Sequence, residues 1–186
     1  MSEFDFLNWV LSDKYLSPDQ GSLKDYDSKG KCIQHVRIDE FFIRNRSWYL
    51  YRYDMKDTGD HLPFFRDGQG SPSGLRSFCD YILLTEENGH TYVFLIELKS
   101  GETAGHTKQI EAGRFFINFV VASARRICAD NDFPEFDEGK IIMRRVLITP
   151  RKSKKTTTIA RPRQAYTALN DIISYSETSF CPLALM

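Results

Sequence analysis

Residues 78–99 read FCDYILLTEENGHTYVFLIELK, and this stretch decides the fold. Two apolar runs rich in aromatic and β-branched residues, Phe78–Glu86 and Thr91–Lys99, flank the segment Glu87-Asn88-Gly89-His90. Asn-Gly favours the left-handed backbone conformations of a two-residue hairpin turn. The stretch therefore predicts two antiparallel strands joined by a tight turn.

A two-residue turn at Asn88-Gly89 would fix the register of this hairpin. In that register Asp80 falls opposite Glu97, and Phe78 falls opposite Lys99. Directly opposed residues point to the same face of a sheet, with Cβ atoms about 4.5–5.5 Å apart. Glu97 and Lys99 also share a face because side chains alternate along a strand. The sequence therefore predicts that Asp80, Glu97 and Lys99 converge on one patch.

Charges at this position are unusual for a structural strand. The preceding residues, Tyr92–Ile96, are wholly apolar, as in a buried central strand. Two opposed carboxylates repel, and either a shared proton, which raises one pKa, or a hard divalent cation relieves the repulsion. Mg²⁺ prefers one or two carboxylates together with water and phosphate oxygens. Lys99 could then orient an attacking water or stabilise negative charge on phosphorus. A structural ion-pair cluster at a sheet edge is the alternative interpretation.

Asp80 and the tripeptide Glu97-Leu98-Lys99 carry a resemblance to a known family. They resemble the motif of the PD-(D/E)xK nuclease superfamily, over about residues 78–149, although Cys79 stands where many members have Pro. The resemblance implies a mixed α/β fold of one domain, 1–186, with a restriction-endonuclease-like central mixed sheet flanked by helices. Its parts would be an N-terminal region (1–77), a catalytic core (78–149) and a basic C-terminal segment (150–186).

The resemblance also implies a ligand set and a mechanism. Asp80, Glu97 and the carbonyl of Leu98 would hold Mg²⁺ or Mn²⁺, Lys99 would assist the nucleophilic water, and Gln109 would lie near them in the following helix. The family often adds an acid from its first helix. The candidates for that acid are Glu3, Asp5, Asp39 and Glu40, with Glu40 the first choice.

The remaining elements follow from periodicity and turn residues. Before the hairpin, we expect a helix over Phe4–Leu16, a loop over 17–31, strands over Cys32–Ile43 and Ser47–Asp54 with a turn at Arg44-Asn45-Arg46, and a loop over 55–74. After the hairpin, we expect a helix over about Thr103–Cys128, an acidic loop over Asp130–Glu138 and a strand over Lys140–Thr149. A final helix or loop is expected over Gln164–Tyr175. The long helix is apolar almost all round, which predicts burial on a sheet face. This order of elements predicts helices on both faces of one sheet.

Composition narrows the class of protein. The 186 residues carry 25 basic and 25 acidic side chains, so net charge points to no partner. Four cysteines without CxxC spacing favour reduced thiols, and the acidic start argues against a signal peptide. No apolar run is long enough to span a membrane, so we expect a cytoplasmic protein. A basic stretch over 151–163 would either be a solvated loop or bind phosphates. Its phosphate-binding candidates are Arg151, Lys152, Lys154 and Lys155.

Two functions are compatible with these features. The first is a Mg²⁺-dependent nuclease that hydrolyses phosphodiester bonds in DNA, with RNA as the less favoured substrate, acting as a homodimer or with a protein partner. The second is a catalytically inactive protein of the same fold, serving as a nucleic-acid-binding or assembly subunit of a defence or repair complex. Alternating aromatic residues at Trp48, Tyr49, Tyr51 and Tyr53 would either stack on bases or belong to the core.

Overall fold

The computed structural model describes residues 2–27, 29–53, 78–99, 106–130, 136–149, 172–175 and 179–186. They form a mixed α/β structure with two sheets. The helices are α1 (Glu3–Val10), α2 (Glu40–Asn45) and α3 (His106–Asp130), and the strands are β1 (Ser22–Tyr26), β2 (Cys32–Ile38), β3 (Trp48–Arg52), β4 (Tyr81–Glu87), β5 (His90–Leu98), β6 (Ile141–Ile148), β7 (Ile172–Tyr175) and β8 (Ser179–Phe180).

The larger sheet has the strand order β3-β4-β5-β6-β7. Its first three strands are antiparallel, and β5, β6 and β7 run parallel to one another. Helix α3 connects the parallel neighbours β5 and β6, as a parallel connection requires a crossover. The predicted hairpin, long helix and strand over residues 78–149 are therefore confirmed as elements, and the sheet is mixed.

The hairpin turn is the predicted one. Asn88 has φ 51° and Gly89 has φ 72°, which are the left-handed values of a type I′ turn. The register is also as expected from Glu87–His90 to Tyr81–Ile96, and there the ladder ends. The predicted ladder pairs Asp80–Glu97 and Phe78–Lys99 are wrong, because the Asp80 side chain itself bonds the backbone of β5.

One face of the large sheet is covered by α1 and α3. Apolar residues of both helices pack on the alternating residues Ile82, Leu84, Val93 and Leu95. Helix α3 is buried on this face, as predicted, but its apolar residues are not buried all round. Phe115 and Phe119 are 62% and 65% exposed on its outer side. A 25-residue helix on one sheet face leaves one stripe outward.

The opposite face is covered mainly by a second sheet, so the prediction of helices on both faces is only partly right. Strand β2 lies between antiparallel β1 and parallel β8 in this small sheet. Leu23 and Val36 of the small sheet and Phe42 of α2 pack in the same cluster as Phe94 of β5. Strand β1 forms where composition predicted a loop, because its inward residues find a partner that local propensity does not reveal.

Helix boundaries in the N-terminal third differ from the prediction. Helix α1 ends at Val10 because Leu11 is extended and Ser12 caps a separate 3₁₀ turn. The predicted strand Cys32–Ile43 stops at Ile38, since the side chain of Asp39 accepts a hydrogen bond from Phe42 N at 3.0 Å and starts α2. Helix α2 therefore covers most of the predicted turn Arg44-Asn45-Arg46, which is wrong.

Towards the C-terminus, residues 172–175 form a strand, so the expected helix or loop over Gln164–Tyr175 is wrong in this part. The expected loop over 55–74, the basic stretch 151–163 and most of the acidic loop after α3 lie outside the described residues. Tyr51 and Tyr53 are buried core residues, which decides against base stacking for both. Within the described ranges, every helix is too short or too polar to cross a membrane.

Candidate active site

Glu97 and Lys99 lie together at the open end of the hairpin. Alternation along β5 places Glu97 on the face of Val93 and Leu95, which is the face that α3 covers. The Glu97 side chain is fully buried, and its Oε1 lies 2.6 Å from Lys99 Nζ. The Lys99 side chain is 22% exposed, so the ammonium spans the boundary between the core and the surface. The predicted convergence of these two residues is confirmed.

Gln109 completes a short chain of polar contacts. It lies in the first turn of α3, and its Oε1 accepts a hydrogen bond from Lys99 Nζ at 2.8 Å. Gly113, one turn later, lets α3 approach β4 closely, because a Cβ at this position would stand 2.6 Å from Cys79 Sγ. The spacing of Gln109 and Gly113 therefore brings the amide to the ammonium, as the resemblance implied.

Asp80 lies directly before β4 and reaches the same strand end. Its Oδ2 accepts a hydrogen bond from Leu98 N at 2.6 Å. An extended residue projects its N–H and C=O to one side of the strand, so the Leu98 carbonyl also faces the β4 side. Lys99 N points the other way and donates to Ile148 O of β6 at 3.0 Å. The predicted ligand atoms of Asp80 and Leu98 therefore lie side by side.

Burial dominates the electrostatics of the site. It raises the pKa of Glu97 above its ordinary value of 4.5, against the lowering effect of Lys99 and together with a raising effect of Asp25. Burial also raises the pKa of the Cys79 thiol, with smaller contributions from Asp80 and Glu97. The thiol is therefore neutral at ordinary pH, and negative charge belongs to the carboxylates.

The Glu97 carboxylate has few polar contacts for a buried charged group. Both oxygens are buried, Oε1 faces Lys99 Nζ at 2.6 Å, and a hydrogen bond from the backbone of Asp80 also lowers the pKa of the carboxylate. A buried carboxylate oxygen without a donor is expensive unless a cation or water satisfies it. The Glu97 carboxylate, Asp80 Oδ1/Oδ2 and the Leu98 carbonyl make a hard oxygen donor set that fits Mg²⁺, which keeps several waters.

In the described residues, the carboxylates of Asp80 and Glu97 have no third metal-binding side chain beside them. Across the described parts of the chain, no three His, Cys, Asp or Glu side chains lie close enough to surround a metal ion. A cation here would therefore depend on Asp80, Glu97, a backbone carbonyl and water. Such a sparse protein shell is typical of Mg²⁺ rather than of Zn²⁺.

Sequence reasoning missed two residues, Asp25 and Gln34, at this end of the sheet. They are directly opposed in the β1–β2 ladder. Gln34 is buried, and its Nε2 donates at 3.3 Å to Ile148 O, the carbonyl that also accepts Lys99 N. The alternation of Leu23 with Asp25 could have indicated a strand, but the surrounding Ser, Asp, Gly and Lys residues indicated a loop.

The four acids suggested from sequence have other contacts. Glu3 forms an ion pair with Lys140 at 3.4 Å, and Glu40 pairs with Arg44 on an exposed helix. Asp5 belongs to the capping box of α1, and Asp39 caps α2. None of these four carboxylates is brought to Glu97 by the contacts within the described residues.

Comparison with known proteins gave no match to a family model, a curated protein or a solved structure. The interpretation of the site therefore depends on its own geometry. The four residues expected to bind phosphates, Arg151, Lys152, Lys154 and Lys155, lie outside the described residues.

Proposed function

We propose that the chain is a Mg²⁺-dependent nuclease with a restriction-endonuclease-like fold that hydrolyses phosphodiester bonds in DNA. The observation that carries the proposal is the Lys99 ammonium between Glu97 and Gln109, at a strand end where Asp80 bonds Leu98 N. The antiparallel hairpin followed by a helix and a parallel strand supports the fold assignment.

In this proposal Asp80, Glu97 and the carbonyl of Leu98 hold Mg²⁺ or Mn²⁺. When bound, the ion polarises a phosphoryl oxygen and makes a bound water more acidic. Asp80 Oδ2 is already oriented by Leu98 N, so this carboxylate enters the reaction with little freedom to lose. Burial of Glu97 strengthens its electrostatic effect, because water does not screen it.

Lys99 supplies hydrogen-bond donors and positive charge. An ammonium has three donors and no acceptor, so Lys99 orients water or stabilises the anionic oxygens of the transition state. Gln109 acts through Lys99 and is a positioning residue, since its Oε1 accepts one ammonium proton. The remaining donors of Lys99 face Glu97 and the exposed side of the site.

The test uses supercoiled plasmid and single-stranded DNA with Mg²⁺ or Mn²⁺. We expect cleavage by the wild-type chain, loss of cleavage in Asp80→Asn and Lys99→Met, and unchanged cleavage in the control Glu40→Gln, whose carboxylate is exposed on α2. Activity that survives in either site variant would reject the assignment. Equal melting temperatures for the four proteins would exclude unfolding as the cause.

One observation favours the second function, an inactive nucleic-acid-binding or assembly subunit. Lys99 neutralises Glu97, and Leu98 N satisfies one oxygen of Asp80, so much of the site is held by protein contacts alone. Calorimetric titration with Mn²⁺ separates the two functions. The nuclease requires binding that disappears in Asp80→Asn, whereas the inactive subunit predicts DNA binding without binding of Mn²⁺ at this site.

A further inference from the structure

We propose that Arg145 of β6 is a positioning residue, which acts through Glu111 of α3. Their ion pair holds the first turns of α3 on the large sheet and thereby keeps Gln109 at the Lys99 ammonium. This role rests on the proposed function and deepens it, because it names the contact that fixes Gln109 in the site.

Arg145 lies on the face of the large sheet that α3 covers, as Glu97 does. In the parallel ladder of β5 and β6, Arg145 is paired with Leu95, which is buried on this face. Met143, two residues before Arg145, packs against the same apolar cluster, and alternation along β6 turns both to one side. Glu97 shares the face of Leu95 for the same reason. The arginine and the buried glutamate therefore lie beneath the same helix, on neighbouring strands.

Glu111 is held by two arginines. Its Oε1 accepts a hydrogen bond from Arg145 Nη1 across the interface between α3 and β6. Its Oε2 accepts one from Arg114 Nε at 2.8 Å, within the same helix. Burial raises the pKa of Glu111, but the two arginines outweigh burial and lower this pKa below the ordinary value of 4.5. Glu111 is therefore ionised at neutral pH, and its contact with Arg145 is a charge-assisted bond between the helix and the sheet.

This ion pair and the Gln109 contact hold opposite sides of the helix. Gln109 and Glu111 are two residues apart, which corresponds to about 200° around an α-helix and about 3 Å along it. Within the described residues, side-chain hydrogen bonds tie α3 to the large sheet and its strand ends at these two positions, through Lys99 and Arg145. A rotation of α3 that breaks the ion pair therefore also moves Gln109 away from Lys99.

Stability alone does not explain an arginine at this position of β6. Arg145 is 8% exposed, and its Nε and Nη2 are buried without a hydrogen-bond partner in the described structure. Buried donors without a partner are unfavourable, and an apolar pair of similar volume is often at least as stable as a buried ion pair. Met143 and Leu147, the next residues of β6 on this face, are apolar. A polar site, in contrast, needs the groups that line it to be held in place by residues behind them.

Steady-state cleavage of plasmid DNA at saturating Mg²⁺ tests this role. We expect Arg145→Met to lower kcat about tenfold, while Mn²⁺ affinity stays unchanged because the metal ligands are untouched. Arg126→Met provides the control on the same helix, since the Arg126 side chain is 71% exposed and pairs with Asp130. This control should cleave DNA like the wild type. An unchanged kcat in a folded Arg145→Met protein would overturn the inference.

A double variant separates positioning from a general structural role. Gln109→Leu should lower kcat by a similar factor, because Lys99 loses the same hydrogen bond. If Arg145 acts through Gln109, adding Arg145→Met to Gln109→Leu should cause no further loss. A second loss of about tenfold in the double variant would show that Arg145 acts independently of Gln109, and it would overturn the inference.

The nitrogen NMR signal of Lys99 Nζ gives a readout that needs no cleavage. In metal-free protein, Arg145→Met should move this signal towards its position in Gln109→Leu, whereas Arg126→Met should leave it at the wild-type position. A wild-type signal in folded Arg145→Met would overturn the inference. If Arg145→Met does not fold, its combination with Glu111→Met decides by the same signal, because an apolar pair of similar volume then replaces the ion pair. Absence of cleavage by the wild type would overturn the proposed function instead, and the Lys99 signal would still decide whether Arg145 positions Gln109.

Discussion

The two ends of the β4–β5 hairpin carry similar charges in different surroundings. At the turn end, Glu87 Oε2 lies 2.9 Å from Arg46 Nη2, and the glutamate side chain is 22% exposed. At the open end, Glu97 Oε1 lies 2.6 Å from Lys99 Nζ, and the glutamate is fully buried. Each glutamate thus has one cation, but only Glu87 also reaches solvent.

This difference separates structural charges from functional ones. A partly exposed ion pair such as Glu87–Arg46 contributes about 0–1 kcal/mol and needs no further explanation. A buried carboxylate loses its hydration, and an apolar pair of similar volume would often be equally stable. Folding alone therefore gives no reason to bury Glu97, and a buried acid with a raised pKa at a strand end is typical of a functional site.

The largest expected effect is on the rate of DNA cleavage, when the Glu97–Lys99 and Glu87–Arg46 ion pairs are broken one at a time. We expect Lys99→Met to reduce DNA cleavage by about 10²–10³-fold, because it removes a donor aimed at developing charge. Arg46→Met removes the matching cation at the turn end and should leave cleavage unchanged. Plasmid cleavage rates at saturating Mg²⁺ measure both. Equal losses in the two variants would remove the distinction between the hairpin ends.

The second largest effect should come from the close approach of α3 to the residue before Asp80. A Cβ at Gly113 would stand 2.6 Å from Cys79 Sγ, so we expect Gly113→Ala to lower stability by about 1–3 kcal/mol. Urea unfolding measures the change. Cys79→Ala removes the clashing sulfur and should restore much of the loss in the double variant. A double variant as unstable as Gly113→Ala would show that the sulfur is not the obstacle.

Comparison of the hairpin with the small sheet explains how far sequence reasoning reached. The turn at Asn88-Gly89 specifies its own backbone, and a two-residue loop fixes the register of every later pair. Glu97 and Lys99 could therefore be placed on one face from local information, and Gln109 followed from the resemblance. The site core was predictable because most of its residues lie within thirty positions of one strong turn.

The small sheet depended on contacts that no local pattern shows. Strand β1 is stabilised by its ladder with β2 and by the hydroxyl of Tyr81, 57 residues away in sequence from Lys24. Helix α2 replaced a predicted strand because Asp39 caps it and Phe42 is buried. Local propensity in such segments is weak, and tertiary contacts override it. Strand β1, and with it Asp25, was missed for this reason.

A smaller effect is expected from the turn itself. Gly89 has φ 72°, and the space that a Cβ would occupy there is open, so Gly89→Ala meets backbone strain without a clash. We expect the free energy of unfolding, measured with urea, to fall by about 1–2 kcal/mol. Cleavage should be unchanged, because the turn lies at the end of the β4–β5 hairpin away from Glu97 and Lys99. Gly89→Asn should lose less, since Asn tolerates the left-handed region. Loss of activity without loss of stability would mean that the turn end also serves the reaction.

The smallest effect concerns the stability cost of burying Glu97. Burial raises its pKa, so the folded chain binds a proton more readily than the unfolded chain, and stability falls as pH rises between the two pKa values. In EDTA we therefore expect Glu97→Gln to melt a few degrees above the wild type at pH 8. This gain in melting temperature should shrink as pH falls towards 4.5, the ordinary pKa of a glutamate in the unfolded chain.

Glu87→Gln, at the solvated end of the hairpin, provides the matched control for this pH series. It should show no comparable gain at pH 8, because the Glu87 carboxylate keeps contact with water and with Arg46. Melting curves in EDTA at several pH values compare the two variants directly. A Glu97→Gln protein less stable than the wild type at pH 8 would mean that the Lys99 ion pair outweighs desolvation, and Glu97 would then be as structural as Glu87.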